Sequence, residues 1–194
     1  MVHASPASAK TVLRLQMRDL RKRLASEAPD AANEAAARLP ADLAKGAAIV
    51  SGYRPRGAEI DPWPVMRAFA MAGATLALPV AFDRDSPLEF RTYVDGDALE
   101  PDAFNILAPS AAAAVVEPNL VIAPLLAFDR SGNRMGHGAG HYDRTLEGLR
   151  ARRPLFVLGL AYAGQQVARV PAESHDQRLD AILTEKAYIE ASKD

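Results

Sequence analysis

The 194-residue sequence contains no cysteine. Disulfide bonds, thiolate nucleophiles and cysteine-ligated zinc sites are therefore excluded. The sequence also lacks an apolar N-terminal segment followed by a cleavage site, and no stretch approaches the roughly 20 apolar residues that a membrane span needs. These absences predict a soluble, cytoplasmic protein without a membrane partner.

Positive and negative charges are nearly balanced, because the sequence has 23 Lys and Arg residues and 24 Asp and Glu residues. A net charge of −1 provides no global field to attract nucleic acid, so we expect no nucleic-acid partner. The hydrophobic fraction of 49% is ordinary for a globular protein, and the length suits one domain. We predict a mobile tail at residues 1–9 and a single domain over residues 10–194, and we expect a monomer.

Hydrophobic periodicity indicates helices that alternate with strands. The interpretation gives an α/β fold, a three-layer sandwich around a mainly parallel, Rossmann-like sheet, whose ligands bind where strands end. Region 101–117 is rich in proline and alanine and is predicted to be mostly loop, with room for one helix. The predicted helices are 10–28, 31–39, 64–72 and 142–150, and the predicted strands are 47–53, 75–80, 88–94, 120–128, 155–162 and 179–184.

A glycine-rich loop follows the strand predicted at 120–128. Gly136, Gly138 and Gly140 alternate in it, and glycine lets a backbone turn sharply and approach a ligand closely. Successive N–H groups, together with the N-terminus of the next helix, can hold phosphate. The loop matches neither a P-loop nor a dinucleotide fingerprint, so a loop without any ligand is the alternative.

Charged side chains beside the glycines favour the ligand-binding interpretation. Arg134 and Arg144 suit phosphate oxygens, and Asp143 can hold the Mg²⁺ that accompanies ATP. A metal-dependent hydrolase using His137, His141 and His175 is a competing hypothesis. Histidines four residues apart converge on a helix, however, and the intervening glycines argue against a helix there.

Two further segments could contribute to a site. Lys10, Arg14, Arg18 and Arg21 form a basic stripe on the first predicted helix, which is either a ligand-binding face or a solvated one. Glu59 lies in a loop after the first predicted strand, where a ligand-orienting carboxylate would be well placed. Nearby Trp63 is interpreted as a core residue.

Taken together, these motifs resemble the 5-formyltetrahydrofolate cyclo-ligase family, also called 5,10-methenyltetrahydrofolate synthetase. The family pattern P-x-x-x-F-D-x-x-G is matched by residues 124–132, and R-x-G-x-G-x-G-x-Y-D by residues 134–143. The family's K-x-x-x-R is matched by Lys10 and Arg14, its E-I-[DE] by residues 59–61, and its H-D-x-x-[LV]-D by residues 175–180. The resemblance covers residues 10–184.

The resemblance implies an ATP- and Mg²⁺-dependent enzyme that converts 5-formyltetrahydrofolate to 5,10-methenyltetrahydrofolate with release of ADP and phosphate. A non-catalytic folate- or nucleotide-binding homologue is the alternative. Arg134 and Lys10 would be catalytic, and Asp143 and Asp176 would hold Mg²⁺. The implied ATP-binding residues are Lys10, Arg14, Arg134, Met135, Gly136, His137, Gly138, Ala139, Gly140, His141 and Tyr142. The implied folate-binding residues are Arg54, Glu59, His137, Gly138, Ala139, Gly140 and His141.

Four positions depart from the family pattern. The family often has Tyr or Arg at His137, Gly or Lys at Ala139 and Tyr at His141, and an aliphatic residue near Arg54. These departures are expected to change the affinity of this chain for the folate substrate, whereas the implied ATP binding is retained.

Overall fold

The computed structural model describes residues 6–192, with side chains from Lys10 onward. A seven-stranded sheet forms its centre, with two two-stranded sheets beside it. The helices are α1 (Pro6–Glu27), α2 (Ala31–Ala36), α3 (Ala41–Gly46), α4 (Trp63–Met71) and α5 (His141–Arg152). The strands are β1 (Ile49–Ser51), β2 (Thr75–Val80), β3 (Glu89–Thr92), β4 (Leu99–Pro101), β5 (Leu107–Pro109), β6 (Leu120–Pro124), β7 (Ala127–Phe128), β8 (Arg134–Met135), β9 (Phe156–Leu160), β10 (Ala181–Leu183) and β11 (Tyr188–Glu190).

The strand order of the central sheet is β11-β10-β9-β6-β1-β2-β3. The five inner strands pair in parallel, and the edge strands β3 and β11 pair antiparallel to their neighbours. The predicted mainly parallel α/β fold is confirmed. The carboxyl ends of β1, β2 and β6 meet at one edge of the sheet, and the loops that leave them form the site.

Alternate residues of the inner strands pack on opposite faces of the sheet, which gives three layers. In β6, Leu120 and Ile122 join a core cluster built with α2, α3 and α4, whereas Val121 and Ala123 join a cluster built with α5. Every second side chain of a strand points to the same face, so a strand covered on both faces is apolar throughout. The buried run of β6 has this composition.

The predicted strand 120–128 is wrong in its extent. The chain leaves the sheet after Pro124, and Ala127–Phe128 pairs instead with Arg134–Met135 in a short antiparallel hairpin. The residues on both sides of the break are buried, so their apolar character could not reveal it. The Asp129 carboxylate holds this hairpin turn, accepting hydrogen bonds from the backbone N–H groups of Ser131, Asn133 and Val170.

Other boundaries also differ. The segment predicted as loop with one possible helix contributes β4 and β5, which form an antiparallel hairpin, and no helix lies at residues 101–117. The first helix begins at Pro6 rather than at residue 10. The prediction of a mobile tail otherwise falls on residues 1–5, outside the described residues. Trp63 is partly buried against the core, as predicted.

None of the helices within residues 6–192 is long and apolar enough to cross a membrane.

Candidate active site

A cleft of about 220 Å³ opens at the carboxyl edge of the sheet. It is lined by α1, the loop after β1, the end of β2, the β4–β5 hairpin and the glycine-rich loop. Every site residue that the family resemblance implied lines this cleft, including Asp176, which lies in the loop between β9 and β10. Arg144, which was also predicted to suit phosphate, does not line it and donates instead to the carbonyls of Arg84 and Ala139. Residues far apart in sequence are thus gathered at the place where an open parallel sheet binds its ligands.

The glycine-rich loop crosses one side of the cleft before α5 begins. Gly138 and Gly140 have φ angles of +99° and +73°, which side-chain-bearing residues rarely adopt. Gly140 immediately precedes the first residue of α5, so the loop delivers its backbone to the positive end of that helix. The loop therefore has the geometry expected of an anion-binding backbone.

Helix α1 places two cations at the cleft. Lys10 Nζ lies 2.8 Å from Asp176 Oδ2 and 3.2 Å from Glu173 Oε2, and Arg14 Nε donates to the carbonyl of Gly136 at 3.2 Å. Burial opposes charging of Lys10, but the bonds to the two carboxylates outweigh it and raise its pKa. Lys10 is therefore a firmly protonated ammonium facing the cleft.

Arg134 and Asp143 form the most buried ion pair of the loop. Arg134 Nη2 donates to Asp143 Oδ1 at 2.7 Å, and the backbone N–H of Gln177 donates to the same oxygen at 2.9 Å. Burial lowers the pKa of Arg134, and the Asp143 charge opposes that shift, so the guanidinium stays charged. Arg134 Nε has no hydrogen-bond partner among the described residues.

Glu59 occupies the other side of the cleft, after β1. Its Oε2 accepts the backbone N–H of Arg56 at 2.8 Å, and its Oε1 lies 3.0 Å from His137 Nε2 and 3.4 Å from Arg21 Nη1. Because a carboxylate accepts, the His137 nitrogen carries the hydrogen of this contact. Burial would raise the pKa of Glu59, but these donors and charges lower it, so Glu59 is a carboxylate.

The β4–β5 hairpin forms an apolar wall beside the loop. Phe104 and Ile106 line the cleft, and the Phe104 ring meets the His141 ring edge-on with centroids 5.2 Å apart. Asp102 fixes the hairpin, since its carboxylate accepts the backbone N–H groups of Phe104, Ile106 and Ala81. The wall suits a flat aromatic ligand group.

The two loop histidines point to different partners. His137 contacts Glu59, whereas His141 Nε2 donates to the carbonyl of Asp83 at 2.8 Å. The only His and acid cluster with metal-ligand spacing found in residues 6–192 consists of Glu173, His175 and Asp176. The convergent histidine site that a metal-dependent hydrolase would need is thus not formed among these residues.

The carboxylates paired with Lys10 and Arg134 suit a hard cation. Both hydrogen bonds recorded for Asp143 go to Oδ1, and Asp176 Oδ2 accepts from Lys10 and from the backbone N–H of Glu173. Each carboxylate is thus hydrogen-bonded through one oxygen, and the second oxygen of Asp176 lies 3.8 Å from His175 Nε2. Mg²⁺ is commonly held by one or two carboxylates together with substrate phosphates, and these residues fit that pattern.

The sequence profile of the 5-formyltetrahydrofolate cyclo-ligase family matches residues 6–185. The chain belongs to this family. A 5-formyltetrahydrofolate cyclo-ligase of Mycolicibacterium smegmatis is 32% identical over 150 residues, covering 73% of this chain and 76% of that protein. The Escherichia coli K12 cyclo-ligase is 33% identical over 131 residues, covering 65% and 71%.

Solved structures agree with this family assignment. The NMR structure of Aquifex aeolicus 5,10-methenyltetrahydrofolate synthetase superimposes with a TM-score of 0.77 at 26% identity, covering 95% of this chain and 94% of that one. A 5,10-methenyltetrahydrofolate synthetase from Mycoplasma pneumoniae has a TM-score of 0.68 at 20% identity, covers 91% and 98%, and supports the fold. The family is one of ligases.

Sequence reasoning missed several lining residues. Tyr53 and Arg56 flank the predicted Arg54, and Phe104 and Ile106 come from a hairpin that was predicted as loop. No motif marks these residues, because the hairpin reaches the cleft only through the tertiary fold. Arg21 is different: the basic stripe of α1 contained it, but its burial beside Glu59 was not foreseen.

Proposed function

We propose that this chain is a 5-formyltetrahydrofolate cyclo-ligase that consumes ATP with the help of Mg²⁺. The observation that carries the proposal is the single cleft that unites a cationic, glycine-rich loop with the buried carboxylate of Glu59. The glycine-rich loop with its cations suits a nucleoside triphosphate, and the Glu59 carboxylate suits the N–H donors of a pterin. Membership of the cyclo-ligase family connects these two features in one reaction.

The reaction must activate a weak electrophile. The formyl group on N5 is an amide, and its oxygen is a poor leaving group. We propose that this oxygen attacks the γ-phosphorus of ATP while the bond to ADP breaks. N10 then attacks the activated carbon, the ring closes, N10 loses its proton and phosphate departs with the former formyl oxygen. The products are 5,10-methenyltetrahydrofolate, ADP and phosphate.

The residues of the phosphate side neutralise charge in this scheme. Phosphoryl transfer depends mainly on positioning and electrostatic stabilisation. Lys10 carries a positive charge that two carboxylates stabilise, and the Arg134 guanidinium is paired with Asp143. Arg14 sits under Gly138 with its guanidinium carbon 3.4 Å from where a Cβ would be. We assign these three cations to the phosphates. Asp143 and Asp176 would hold Mg²⁺, which when bound supplies further charge neutralisation.

The residues of the other side orient the folate. Glu59 is a preformed, ionised acceptor, and the Phe104–Ile106 wall offers an apolar surface. We assign the pterin to Glu59 and an aromatic portion of the folate to this wall, with Arg54 and residues 137–141 completing the folate contacts. Holding N10 and the formyl carbon in one geometry converts ring closure into an intramolecular step.

Absorbance of the methenyl chromophore tests the proposal directly. Purified protein with 5-formyltetrahydrofolate should produce the chromophore only when ATP and Mg²⁺ are both present. A coupled assay for ADP release should give the same rate. Folate and ATP binding without either product would instead identify a non-catalytic homologue, and product formation without ATP would refute the ligase chemistry.

We also propose that the protein is a cytoplasmic monomer. Light scattering on the eluting protein tests the oligomeric state, and cell fractionation tests the location. A mass of twice the 20.8 kDa chain would overturn the proposed monomer. Recovery of the protein with membranes would overturn the proposed cytoplasmic location.

A further inference from the structure

A buried arginine, Arg21, lies behind Glu59, the carboxylate that we assign to folate binding. Arg21 is 5% exposed, and its Nη1 donates to Glu59 Oε1 at 3.4 Å and to the carbonyl of Leu125 at 3.3 Å. Its Nε has no hydrogen-bond partner within residues 6–192. Arginine is rarely buried this deeply unless it is paired. The charge of Glu59 is therefore the feature that makes the burial of Arg21 tolerable.

Helix geometry separates Arg21 from its exposed neighbour in the basic stripe. At about 100° per residue, Arg21 lies only about 20° around α1 from Lys10, whereas Arg18 lies about 80° away. Lys10 and Arg21 accordingly face the fold and are buried, and Arg18 faces solvent. The two buried cations are about 16 Å apart along the helix. One rigid element therefore reaches both the phosphate side and the folate side of the cleft.

The two side-chain partners of Glu59 differ in how easily they can leave. The His137 side chain is 42% exposed and belongs to the glycine-rich loop, so its contact can be exchanged for a ligand. The side chains of Arg21 and Glu59 are only 7% and 5% exposed. Separating them would leave two uncompensated charges in the interior, which is strongly unfavourable.

We propose that Arg21 is a positioning residue for the cyclo-ligase reaction. From behind, it orients the Glu59 carboxylate and keeps it charged, so that Glu59 can exchange His137 for the folate without losing its own geometry. This inference rests on the proposed function, because it assigns Arg21 to the same site. It adds a third residue of α1 to the site, beyond the two that face the phosphates.

Steady-state kinetics of three variants test the proposal. Arg21→Met removes the cation and keeps an unbranched side chain, Arg21→Lys restores a cation, and Arg18→Met is the matched control on the exposed face of the same helix. We expect Arg21→Met to raise the KM for 5-formyltetrahydrofolate about tenfold or more, with little change in the KM for ATP. Arg21→Lys should recover most of the loss, and Arg18→Met should behave like the parent.

The pH profile separates positioning from a general loss of structure. Glu59 is faced by these titratable groups: Arg21 from α1, His137 from the glycine-rich loop, Tyr53 after β1 and Tyr142 from α5. Loss of the Arg21 charge should raise the pKa of Glu59, so the acidic limb of kcat/KM for the folate should move to higher pH. Equal increases in both KM values, an unmoved acidic limb and no rescue by lysine would overturn the proposal.

A measurement without turnover keeps the test independent of the activity. NMR spectra are recorded on protein labelled with ¹³C at the glutamate side-chain carboxyl carbons. The Glu59 signal is identified as the one that is absent from the spectrum of the Glu59→Gln variant. Its pKa should be higher in Arg21→Met than in Arg18→Met. If the parent forms no methenyl product, the proposed function fails, yet this titration still reports whether Arg21 controls Glu59. Identical titrations in the two variants would exclude that control.

A double variant covers the possibility that Arg21→Met folds poorly. Arg21→Met combined with Glu59→Gln removes both buried charges and so avoids an unpaired carboxylate. The double variant should melt at a higher temperature than Arg21→Met alone. A double variant that melts no higher would show that the charge of Glu59 is not what Arg21 serves.

Discussion

The two ends of the cleft are built differently. At the proposed phosphate end, Lys10 is held by Asp176 and by Glu173, whose side chain is 42% exposed, and the glycine-rich backbone turns beside Arg14 through positive φ angles. At the proposed folate end, Glu59 is enclosed and is held from the interior by Arg21. At the first end buried cations meet partly exposed carboxylates, whereas at the second both charged partners are enclosed in the packed interior.

This difference indicates how each end receives its ligand. An ion pair with an exposed partner is weaker than a fully enclosed one, so we expect the proposed triphosphate to replace Glu173 at Lys10 at small cost. The buried pair of Glu59 and Arg21 cannot be separated without a large cost, so the folate that we assign to Glu59 would meet an acceptor whose position is already fixed. Variants that affect one end without the other sharpen the comparison.

The largest effect is expected at the glycine-rich loop, which borders both ends. Gly138→Val should lower turnover at least about a hundredfold with little change in melting temperature, because φ is +99° and the Arg14 guanidinium is 3.4 Å from the added Cβ. Gly46→Val is the control, since Gly46 has open space and no positive φ. Both rate and melting temperature should be recorded. A variant that melts far below the parent would make Gly138 a structural residue.

Removal of a cation should affect the phosphate end alone. Lys10→Ala should raise the KM for ATP by one to two orders of magnitude, because a charge-assisted hydrogen bond contributes about 1.5–3 kcal/mol. Arg14→Ala should act in the same direction, and the KM for the folate should stay near that of the parent. Lys22→Ala on the exposed face of α1 is the control. Unchanged ATP titrations for both Lys10 and Arg14 variants would remove α1 from the nucleotide site.

Neutralising the buried carboxylate should affect the folate end alone. Glu59→Gln should raise the KM for the folate about tenfold while the KM for ATP stays unchanged, because the ionised acceptor is lost and the shape is kept. Glu117→Gln, at an exposed ion pair with Arg152, is the control. A folate KM equal to the parent's at saturating ATP would refute the assignment of Glu59.

The smallest effect is expected at the proposed Mg²⁺ ligand. Asp143→Asn should raise the Mg²⁺ concentration for half-maximal rate several-fold, and high Mg²⁺ should restore part of the rate. Because Asp143 also pairs with Arg134 at 2.7 Å, the melting temperature should be measured at each Mg²⁺ concentration. Full activity that does not depend on Mg²⁺ concentration would separate this loop from metal binding.

Local sequence patterns predicted the parts of the fold that repeat regularly. The alternation of buried strands with amphipathic helices predicted the sheet, and α5 was found within two residues of its predicted ends. The β4–β5 hairpin was missed because its strands have only three residues each, which is too short to show an alternation. The break after Pro124 was missed because burial continues through it.

The candidate site was predictable where residues form motifs and not where packing alone gathers them. The glycine-rich loop, Lys10, Glu59 and Asp176 were predicted and lie in one cleft, although their roles stay predictions. Phe104 reaches that cleft only through the path of a hairpin. Arg21 belonged to a recognised stripe, but sequence cannot tell which arginine of such a stripe meets a buried acid.

The transfer of oxygen from the formyl group to phosphate tests the central claim most directly. 5-Formyltetrahydrofolate labelled with ¹⁸O in the formyl group is converted with ATP and Mg²⁺, and the released phosphate is analysed by mass spectrometry. If the formyl oxygen attacks the γ-phosphorus, the phosphate must contain one ¹⁸O atom for each methenyl group formed. Unlabelled phosphate, with the ¹⁸O found in water, would contradict activation of the formyl group by phosphorylation and with it the proposed function of the cleft.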